Sequence, residues 1–239
     1  MQDDIKRFYE KIRLRKAVDD PEGPVPVTFT HVFHKEYQRL PSKELPKGSS
    51  QESELEAILE RRESTRMFSD QAITIEQLAK ILRSCRIVDN QRDPERRTYP
   101  SGGARFPVEL YVVAYNLEDL HPGVYHYNIK KENLEVLWEK DLREKRRDLI
   151  SPYLENPAAT IIFTSVLARS EVKYGPRAYP YSLLEAGHMG QNIHLVCAEL
   201  GIGSCSVSGF VDDTVAKIID LTEDEIPIYT ISIGWRKLF

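Results

Sequence analysis

The sequence predicts an α+β domain with one central sheet of mixed or antiparallel strands, flanked by helices. Three observations predict this class. Runs rich in β-branched and aromatic residues, typical of buried strands, occur at 108–115, 160–167 and 228–234. Helical segments separate these runs irregularly rather than in a strict strand–helix repeat. No G-x-G-x-x-G or G-x-x-x-x-G-K-[ST] motif follows a strand, which argues against a Rossmann or P-loop nucleotide site.

Composition bounds the class of protein. Of the 239 residues, 41% are hydrophobic and 29% are charged, which is typical of a globular protein with a sizeable core. The 33 Lys and Arg against 37 Asp and Glu give a net charge of −4, and no long basic run offers a surface for nucleic acid. No segment approaches the length of a membrane span, and the start lacks the apolar core of a signal peptide. Three scattered cysteines argue against a disulfide framework, so we expect a cytoplasmic protein.

The first 50 residues are less regular than the rest of the chain. A charged helix is predicted over 1–17, a linker rich in proline over 19–26, and an extended surface arm over 31–50. We therefore expect an N-terminal arm and linker at 1–50 and a folded domain at 51–239.

Helix signals become sharp after residue 50. Apolar residues at helical intervals predict a helix over 52–62, and the capping-box pattern of Thr74 and Gln77 predicts another that runs to about Cys85. The remaining short elements are predicted as helices at 142–150 and 214–220 and as strands at 125–127 and 134–138.

The longest helix is predicted near the C-terminal end. Ser182 and Glu185 form a capping-box pattern, from which a helix continues to Leu200. Gly201 follows at the position where a helix C-cap glycine belongs.

The segment 62–68 (RESTRMF) holds the first candidate site. In an extended chain Arg62, Ser64 and Arg66 point to one side, because side chains alternate along a strand. Two guanidinium groups and a hydroxyl form a suitable cradle for a phosphate. The alternative is a solvated basic helix end.

Two loops rich in small residues are further candidates. One is 99–107 (YPSGGARFP), before a predicted strand, and the other is 201–210 (GIGSCSVSGF), after the longest helix. Glycines permit close backbone approach, so each loop could lie against a flat ligand. The alternatives are an ordinary turn for the first loop and a loop that enters a buried strand for the second.

Lys173 and Tyr174, in the run 173–177 (KYGPR), are candidate proton-transfer groups. The alternative is an exposed polar loop. His188 and His194 do not have the i, i+4 spacing of a metal-binding helix, and no Cys or carboxylate cluster stands beside them. We therefore expect no metal site.

The order of these motifs resembles that of the nitroreductase-like flavoprotein superfamily, and within it the SagB-type dehydrogenase branch. R-x-S-x-R-x-F, P-S-G-G-A-R-F-P, E-A-G-H-x-x-Q-N and L-G-I-G-S-C-x-x-x-G-F follow one another along the chain. The branch is indicated by 122–128 (PGVYHYN), 173–177 and 184–192 (LEAGHMGQN). The resemblance covers about residues 30–239.

The resemblance implies a nitroreductase-like fold that forms a homodimer and holds FMN at the subunit interface. Arg62, Ser64 and Arg66 match the phosphate-binding motif, and Arg236 is a further expected phosphate contact.

The same comparison assigns the ring-binding residues. Pro100, Ser101 and Gly102 match a segment that reaches the flavin from the partner chain. Ser208 and Gly209 match the backbone beside the flavin N5, where an N–H group stabilises the reduced ring without blocking its face.

The function implied is an FMN-dependent oxidoreductase that oxidises thiazoline or oxazoline rings of a ribosomal peptide to azoles. A proton leaves the α carbon and a hydride leaves the adjacent ring carbon. Lys173 and Tyr174 match a Lys-Tyr pair linked to this step in the family, and we assign proton abstraction and orientation to them jointly. Family members often carry an Arg near the position of Pro180, in a Gly-Tyr-Arg context, whereas residues 177–181 of this chain read RAYPY, so the substrate side of the pocket is expected to differ. The electron acceptor is oxygen or NAD(P).

Two alternatives remain open at this point. An NAD(P)H-dependent nitroreductase or quinone reductase with a small-molecule substrate would use the same flavin site without Lys173 or Tyr174. A non-catalytic flavin-binding subunit would belong to a complex of peptide-modifying partner proteins, and the arm with Phe29, Phe33 and Tyr37 would dock there or pack on the partner subunit. No nucleic acid or membrane partner is expected.

Overall fold

The fold is taken from a computed structural model of the chain, which describes residues 3–16, 31–32, 34–46, 53–149 and 153–237. The linker predicted at 19–26 lies outside the described residues, as do Phe29 and Phe33 of the arm. Within the described ranges, no helix combines the length and the apolar character that a bilayer crossing requires.

Helices and strands alternate irregularly, as the sequence predicts. The helices in these ranges are α1 (Asp3–Ile12), α2 (Glu54–Arg61), α3 (Ile75–Arg83), α4 (Arg146–Leu149), α5 (Ala168–Tyr174), α6 (Ala178–Leu200) and α7 (Asp212–Ile218). The strands are β1 (Ile87–Asp89), β2 (Arg96–Arg97), β3 (Val108–Ala114), β4 (Gly123–Asn128), β5 (Asn133–Trp138), β6 (Ala159–Val166), β7 (Gly203–Val207) and β8 (Glu225–Gly234).

A six-stranded sheet in the order β5-β4-β3-β6-β8-β7 forms the centre of the described part of the chain. Every pairing within it is antiparallel. The prediction of one central sheet is therefore confirmed, and its strands are antiparallel rather than mixed. The strands β1 and β2 form a separate two-stranded ribbon.

Both faces of the sheet are buried. Val112 and Ile161 point into the cluster that includes residues of α3 and α6, whereas Val113 and Ile162 point into the cluster on the opposite face, which includes α7. Successive side chains of a strand point to opposite faces, so a strand covered on both sides reads as a continuous apolar run. This explains the runs at 108–115 and 160–167.

The predicted capping signals at α3 and at the end of α6 are confirmed. Gln77 N–H donates to Thr74 Oγ1 at 3.2 Å, and Thr74 N–H donates to Gln77 Oε1 at 3.0 Å. Gly201 ends α6 in the left-handed conformation, with φ of 72°.

The capping box predicted at Ser182 is wrong. α6 begins at Ala178, and Ser182 lies within its second turn. The Ser182 hydroxyl donates to the carbonyl of Ala178 at 3.0 Å and accepts from the hydroxyl of Ser165 at 2.8 Å. The Ser182 hydroxyl is therefore satisfied inside the helix, by the carbonyl four residues earlier and by a strand residue, and does not cap a helix end. The chain enters α6 through a short 3-10 turn at Gly175–Arg177.

The charged helix predicted over 1–17 is present as α1, which packs against the folded chain. Ile5 and Tyr9 are buried with Leu167 and Ile226. The Tyr9 hydroxyl donates to Asp212 Oδ1 at 2.8 Å. α1 is thereby attached to the beginning of α7.

Candidate active site

The segment after α2 runs along the open edge of β7. Ser64 forms a parallel bridge with Ser204, and Thr65 N–H donates to the carbonyl of Ser204 at 2.9 Å. Thr65 is buried, whereas its neighbours Ser64 and Arg66 are exposed, as expected of an extended chain. A Cβ at Gly203 would stand 2.7 Å from Thr65, so the close approach of the two segments requires glycine there.

Arg62 and Arg236 line one cavity of about 450 Å³, together with Gly203, Ser204 and His194. Arg236 forms an ion pair with Glu63, the residue after Arg62. The structure therefore brings Arg62 and Arg236 together, although 174 positions separate them in the chain (236 − 62). The half-buried Arg62, the exposed Arg236 and the exposed hydroxyl of Ser64, two residues after Arg62, are groups suited to a phosphate.

Ser208 and Gly209 follow β7 directly, and both are exposed. A Cβ at Gly209 would meet no atom within 4 Å, so the space beside this backbone is open. A planar ring could lie there with its phosphate toward Arg62. The donor set and the open backbone fit a planar cofactor that carries a phosphate, such as FMN.

Lys173, which is exposed, and Tyr174, which is half-buried, lie on the last turn of α5. The glycine loop, residues 99–107 after β2, approaches both of them. A Cβ at Gly103 would overlap the Tyr174 hydroxyl and would stand 2.9 Å from Lys173 Nζ. Gly103 also has φ of 61°, a conformation that favours glycine. The structure thus brings the glycine loop and the candidate proton-transfer pair into contact.

A hydrogen bond within the glycine loop and the ring of Tyr181 hold the rest of this loop. Phe106 N–H donates to Ser101 Oγ at 2.9 Å, which closes the turn that begins at Pro100. A Cβ at Gly102 would stand 3.4 Å from the Tyr181 ring, whose centroid is 5.0 Å from that of Tyr174 in an edge-to-face arrangement.

Glu185 lies beneath the same loop and is 2% exposed. Val108 N–H donates to its Oε1 at 3.4 Å, and its Oε2 is buried with no hydrogen-bond partner among the described residues. Burial raises the pKa of this carboxyl to about 7, although the hydrogen bond from Val108 and the charges of Arg97 and Arg169 act in the opposite direction. Sequence reasoning missed Glu185, because the pattern Ser182-x-x-Glu185 suggested a helix cap instead.

Tyr181 and His194 were also missed as members of the site. Tyr181 stands in the run 177–181, where the chain departs from the family pattern, and that departure is the signal that could have found it. His194 shows no such signal, because its serine partners follow ten and twelve residues later on another element.

Within one copy of the chain, the Arg62 cavity lies far from the Lys173–Tyr174 pair and its glycine loop. The Arg62 cavity is at the C-terminal end of α6, whereas Tyr174 and Gly102 lie at its N-terminal end. A 23-residue helix is about 35 Å long. The glycine loop precedes β3, and Ser208 follows β7. In the sheet, β6 and β8 lie between β3 and β7, so these two strands are roughly 14 Å apart.

Comparisons with known proteins identify a family that the chain matches and several similar proteins. The model of the Nitroreductase family matches residues 59–235. The nitroreductase MJ1384 of Methanocaldococcus jannaschii is 27% identical over 190 residues, which are 79% of this chain and 93% of that protein. The microcin B17-processing protein McbC of Escherichia coli is 32% identical over 135 residues, which are 54% of this chain and 50% of McbC. The aligned part thus spans half the length of McbC.

Among solved structures, a chain of the E. coli microcin synthetase McbBCD complex with truncated pro-MccB17 bound has a TM-score of 0.80. The two sequences are 22% identical, and the superposition covers 100% of this chain and 95% of that chain. This likeness shows a shared fold. The family match includes the segment at 62–68, the glycine loop and the Lys173–Tyr174 pair, and the chain belongs to the Nitroreductase family.

Proposed function

We propose that this protein is an FMN-dependent dehydrogenase that oxidises thiazoline or oxazoline rings in a ribosomal peptide to azoles. The observation that carries the proposal is the contact of Lys173 and Tyr174 with the glycine loop at Gly103. A flavin reductase that only passes electrons to small acceptors needs no such pair. The similarity to McbC, a protein that processes microcin B17, supports the same interpretation.

The cofactor in this proposal is FMN, which members of the family generally bind. Arg62, Ser64, Arg66 and Arg236 would hold its phosphate. Ser208 and Gly209 would leave the ring open on one side. FMN supplies the hydride acceptor for the reaction, and the protein supplies binding, orientation and exclusion of water.

A homodimer would complete the site. The pair Lys173 and Tyr174 is too far from the Arg62 cavity of its own chain to serve it, so a second copy is proposed to contribute the pair together with Pro100, Ser101 and Gly102. Exposed apolar side chains on two helices support an interface: Leu55 and Leu59 of α2 are 57% and 45% exposed, and Leu184 of α6 is 62% exposed.

In this mechanism the pair Lys173 and Tyr174 accepts the proton from the α carbon of the azoline ring. The member of the pair that accepts the proton is in its basic form before the step, either a Tyr174 phenolate beside a Lys173 ammonium or a neutral Lys173 amine beside a Tyr174 phenol. Lys173 Nζ lies 5.3 Å from the centroid of the Tyr174 ring, so the two groups can act together. The carbon–hydrogen bond of the adjacent ring carbon breaks with transfer of a hydride, and the ring becomes aromatic. Tyr181 keeps the Tyr174 ring in place.

The test uses the full chain loaded with FMN and a peptide that contains thiazoline or oxazoline rings. We expect mass spectrometry to show the loss of two hydrogen atoms per ring. Tyr174→Phe and Lys173→Ala should retain the flavin spectrum and lose azole formation, whereas Tyr37→Phe should keep both. Full azole formation in Tyr174→Phe and Lys173→Ala would remove the proposed role of the pair.

An NAD(P)H-dependent nitroreductase or quinone reductase is the second candidate. It is favoured by the similarity to MJ1384, which extends over 93% of that protein. In that case NAD(P)H bleaches the flavin rapidly, a nitroaromatic compound or a quinone is turned over, and neither Lys173 nor Tyr174 matters. A protein that binds FMN but converts neither class of substrate would instead act with peptide-modifying partner proteins as a non-catalytic subunit.

A further inference from the structure

His194 is a buried titratable residue that the proposed mechanism does not use. It lies on α6 and is 9% exposed. Its Nδ1 is 2.7 Å from the hydroxyl oxygen of Ser204, and its Nε2 is 2.6 Å from that of Ser206. The Ser206 hydroxyl in turn forms a short hydrogen bond with the hydroxyl of Tyr229. These four residues, Ser204, His194, Ser206 and Tyr229, form one hydrogen-bonded chain.

The imidazole in this chain is neutral at physiological pH. Burial and, to a smaller extent, the positive charge of Arg62 in the same cavity lower the pKa of His194 to about 4. A neutral imidazole carries one N–H and one free lone pair. One ring nitrogen therefore donates to its serine, while the other accepts.

The tautomer of His194 determines what Ser206 presents to its surroundings. With the proton on Nδ1, the Ser206 hydroxyl donates to Nε2 and keeps a lone pair for another donor. With the proton on Nε2, Ser206 accepts from the imidazole, and its own O–H is free to donate when the Tyr229 hydroxyl is the donor in their shared hydrogen bond. The hydroxyl can thus reverse its hydrogen-bond polarity while the net charge of the chain stays constant.

Ser206 lies close to the backbone that would bind the cofactor ring, where a hydroxyl that changes from donor to acceptor could pair with the ring. It is exposed, unlike Ser204, and it precedes Ser208 by two residues on the strand that leads to the open backbone at Gly209. A flavin ring nitrogen that accepts a hydrogen bond in the oxidised state carries a proton after reduction. A neighbouring hydroxyl must then change from donor to acceptor.

We propose that His194 is a positioning residue whose tautomer sets whether the Ser206 hydroxyl donates or accepts toward the bound cofactor. The inference rests on the proposed function, because it needs an FMN ring beside β7. It adds a group that matches both redox states of the ring without moving a charge into a buried site.

The first test measures the affinity of the protein for oxidised and reduced FMN. Ser206→Ala should raise the Kd values for oxidised and for reduced FMN alike, each by roughly tenfold, because the hydroxyl pairs with the ring in both redox states. His194→Phe keeps the hydroxyl but removes the group that reverses it, so it should weaken the binding of one redox state more and change the ratio of the two Kd values by up to roughly tenfold. The double variant should behave like Ser206→Ala, because the hydroxyl that His194 acts on is then absent. His194→Gln, which keeps a donor and an acceptor at the end of its side chain, should restore much of the wild-type ratio.

A matched control and a spectroscopic readout complete the test. Thr222→Ala removes a hydroxyl in the loop between α7 and β8 and should leave both Kd values and their ratio unchanged. In the FMN-loaded protein, the nitrogen chemical shifts of His194 should report a neutral ring whose proton moves from one nitrogen to the other when the flavin is reduced.

The outcomes separate this inference from the proposed function. FMN binding and azole formation together with unchanged Kd values in Ser206→Ala, or with an unchanged Kd ratio in His194→Phe, would overturn the inference alone. A His194 ring that keeps one tautomer in both redox states would overturn it in the same way. A protein that fails to bind FMN would overturn the proposed function and this inference with it.

Discussion

The hydroxyl of Tyr174 lies directly against Gly103, so that any Cβ at position 103 would overlap it. The two residues are 71 positions apart (174 − 103) and belong to different elements, the end of α5 and the loop before β3. Lys173 Nζ lies at the same glycine. The glycine loop and the candidate proton-transfer pair therefore act as one structural unit.

Gly103→Ala should destabilise the protein by about 1–3 kcal/mol, because it strains a backbone of positive φ and displaces the Tyr174 hydroxyl. Part of that cost should disappear when Tyr174 is also changed to Phe, since the overlapping oxygen is then absent. Denaturant unfolding of the two single variants and the double variant measures this coupling, which we expect to be about 1 kcal/mol. Additive effects of the two substitutions would show that the contact is absent in solution.

Mixing of two inactive variants tests whether the site is shared between chains. An Arg62→Ala/Arg236→Ala chain should lose the phosphate cradle, and a Tyr174→Phe chain should lose the hydroxyl. A mixed dimer then holds one intact site, made from the cradle of the second chain and Tyr174 of the first. After unfolding and refolding together at equal concentrations, azole formation should return to about a quarter of the wild-type rate. If each site is built within one chain, the mixture stays inactive.

Glu185 should make the stability of the protein fall as the pH rises. Its pKa is raised in the folded state to about 7 from an ordinary 4.5, so the folded protein binds this proton more tightly than the unfolded chain does. Stability is therefore greatest below about pH 4.5 and is lost progressively up to about pH 7, by at most about 3 kcal/mol. Glu185→Gln should flatten this part of the pH profile.

Unfolding free energies at pH 5 and pH 8 for both proteins measure the effect of Glu185. The difference between wild type and variant isolates Glu185 from other titrating groups. An equal decrease between the two pH values in both proteins would contradict the assignment.

Tyr9→Phe should destabilise the protein by about 1–2 kcal/mol. The substitution removes the donor of the 2.8 Å hydrogen bond to Asp212, whose other oxygen still accepts from the N–H of Leu14. Thermal or denaturant unfolding checks this value. Tyr37→Phe, at a position that is 61% exposed, is the matched control and should leave stability unchanged. A wild-type stability in Tyr9→Phe would mean that the Tyr9 hydrogen bond does not stabilise the attachment of α1 to α7.

The sequence by itself determined many of the elements of this protein and the residue types at its candidate site. The buried strands β3, β6 and β8 each carry an apolar run, unlike β7 with its sequence GSCSV, and the cap at Thr74 and the glycine at 201 act through hydrogen bonds within a few residues. These apolar runs and helix caps are local features, so hydrophobic periodicity and capping patterns in the sequence predict them.

Only the tertiary structure decided which of these residues meet. Ser182 forms a hydrogen bond with Ser165 on β6 instead of capping a helix, and His194 forms hydrogen bonds with two serines on β7. Lys173 and Tyr174 lie with Gly103 and far from Arg62, because the strand order and the length of α6 separate the two ends of the domain. Strand order, register and packing depend on contacts between distant parts of the chain, and no local pattern encodes them.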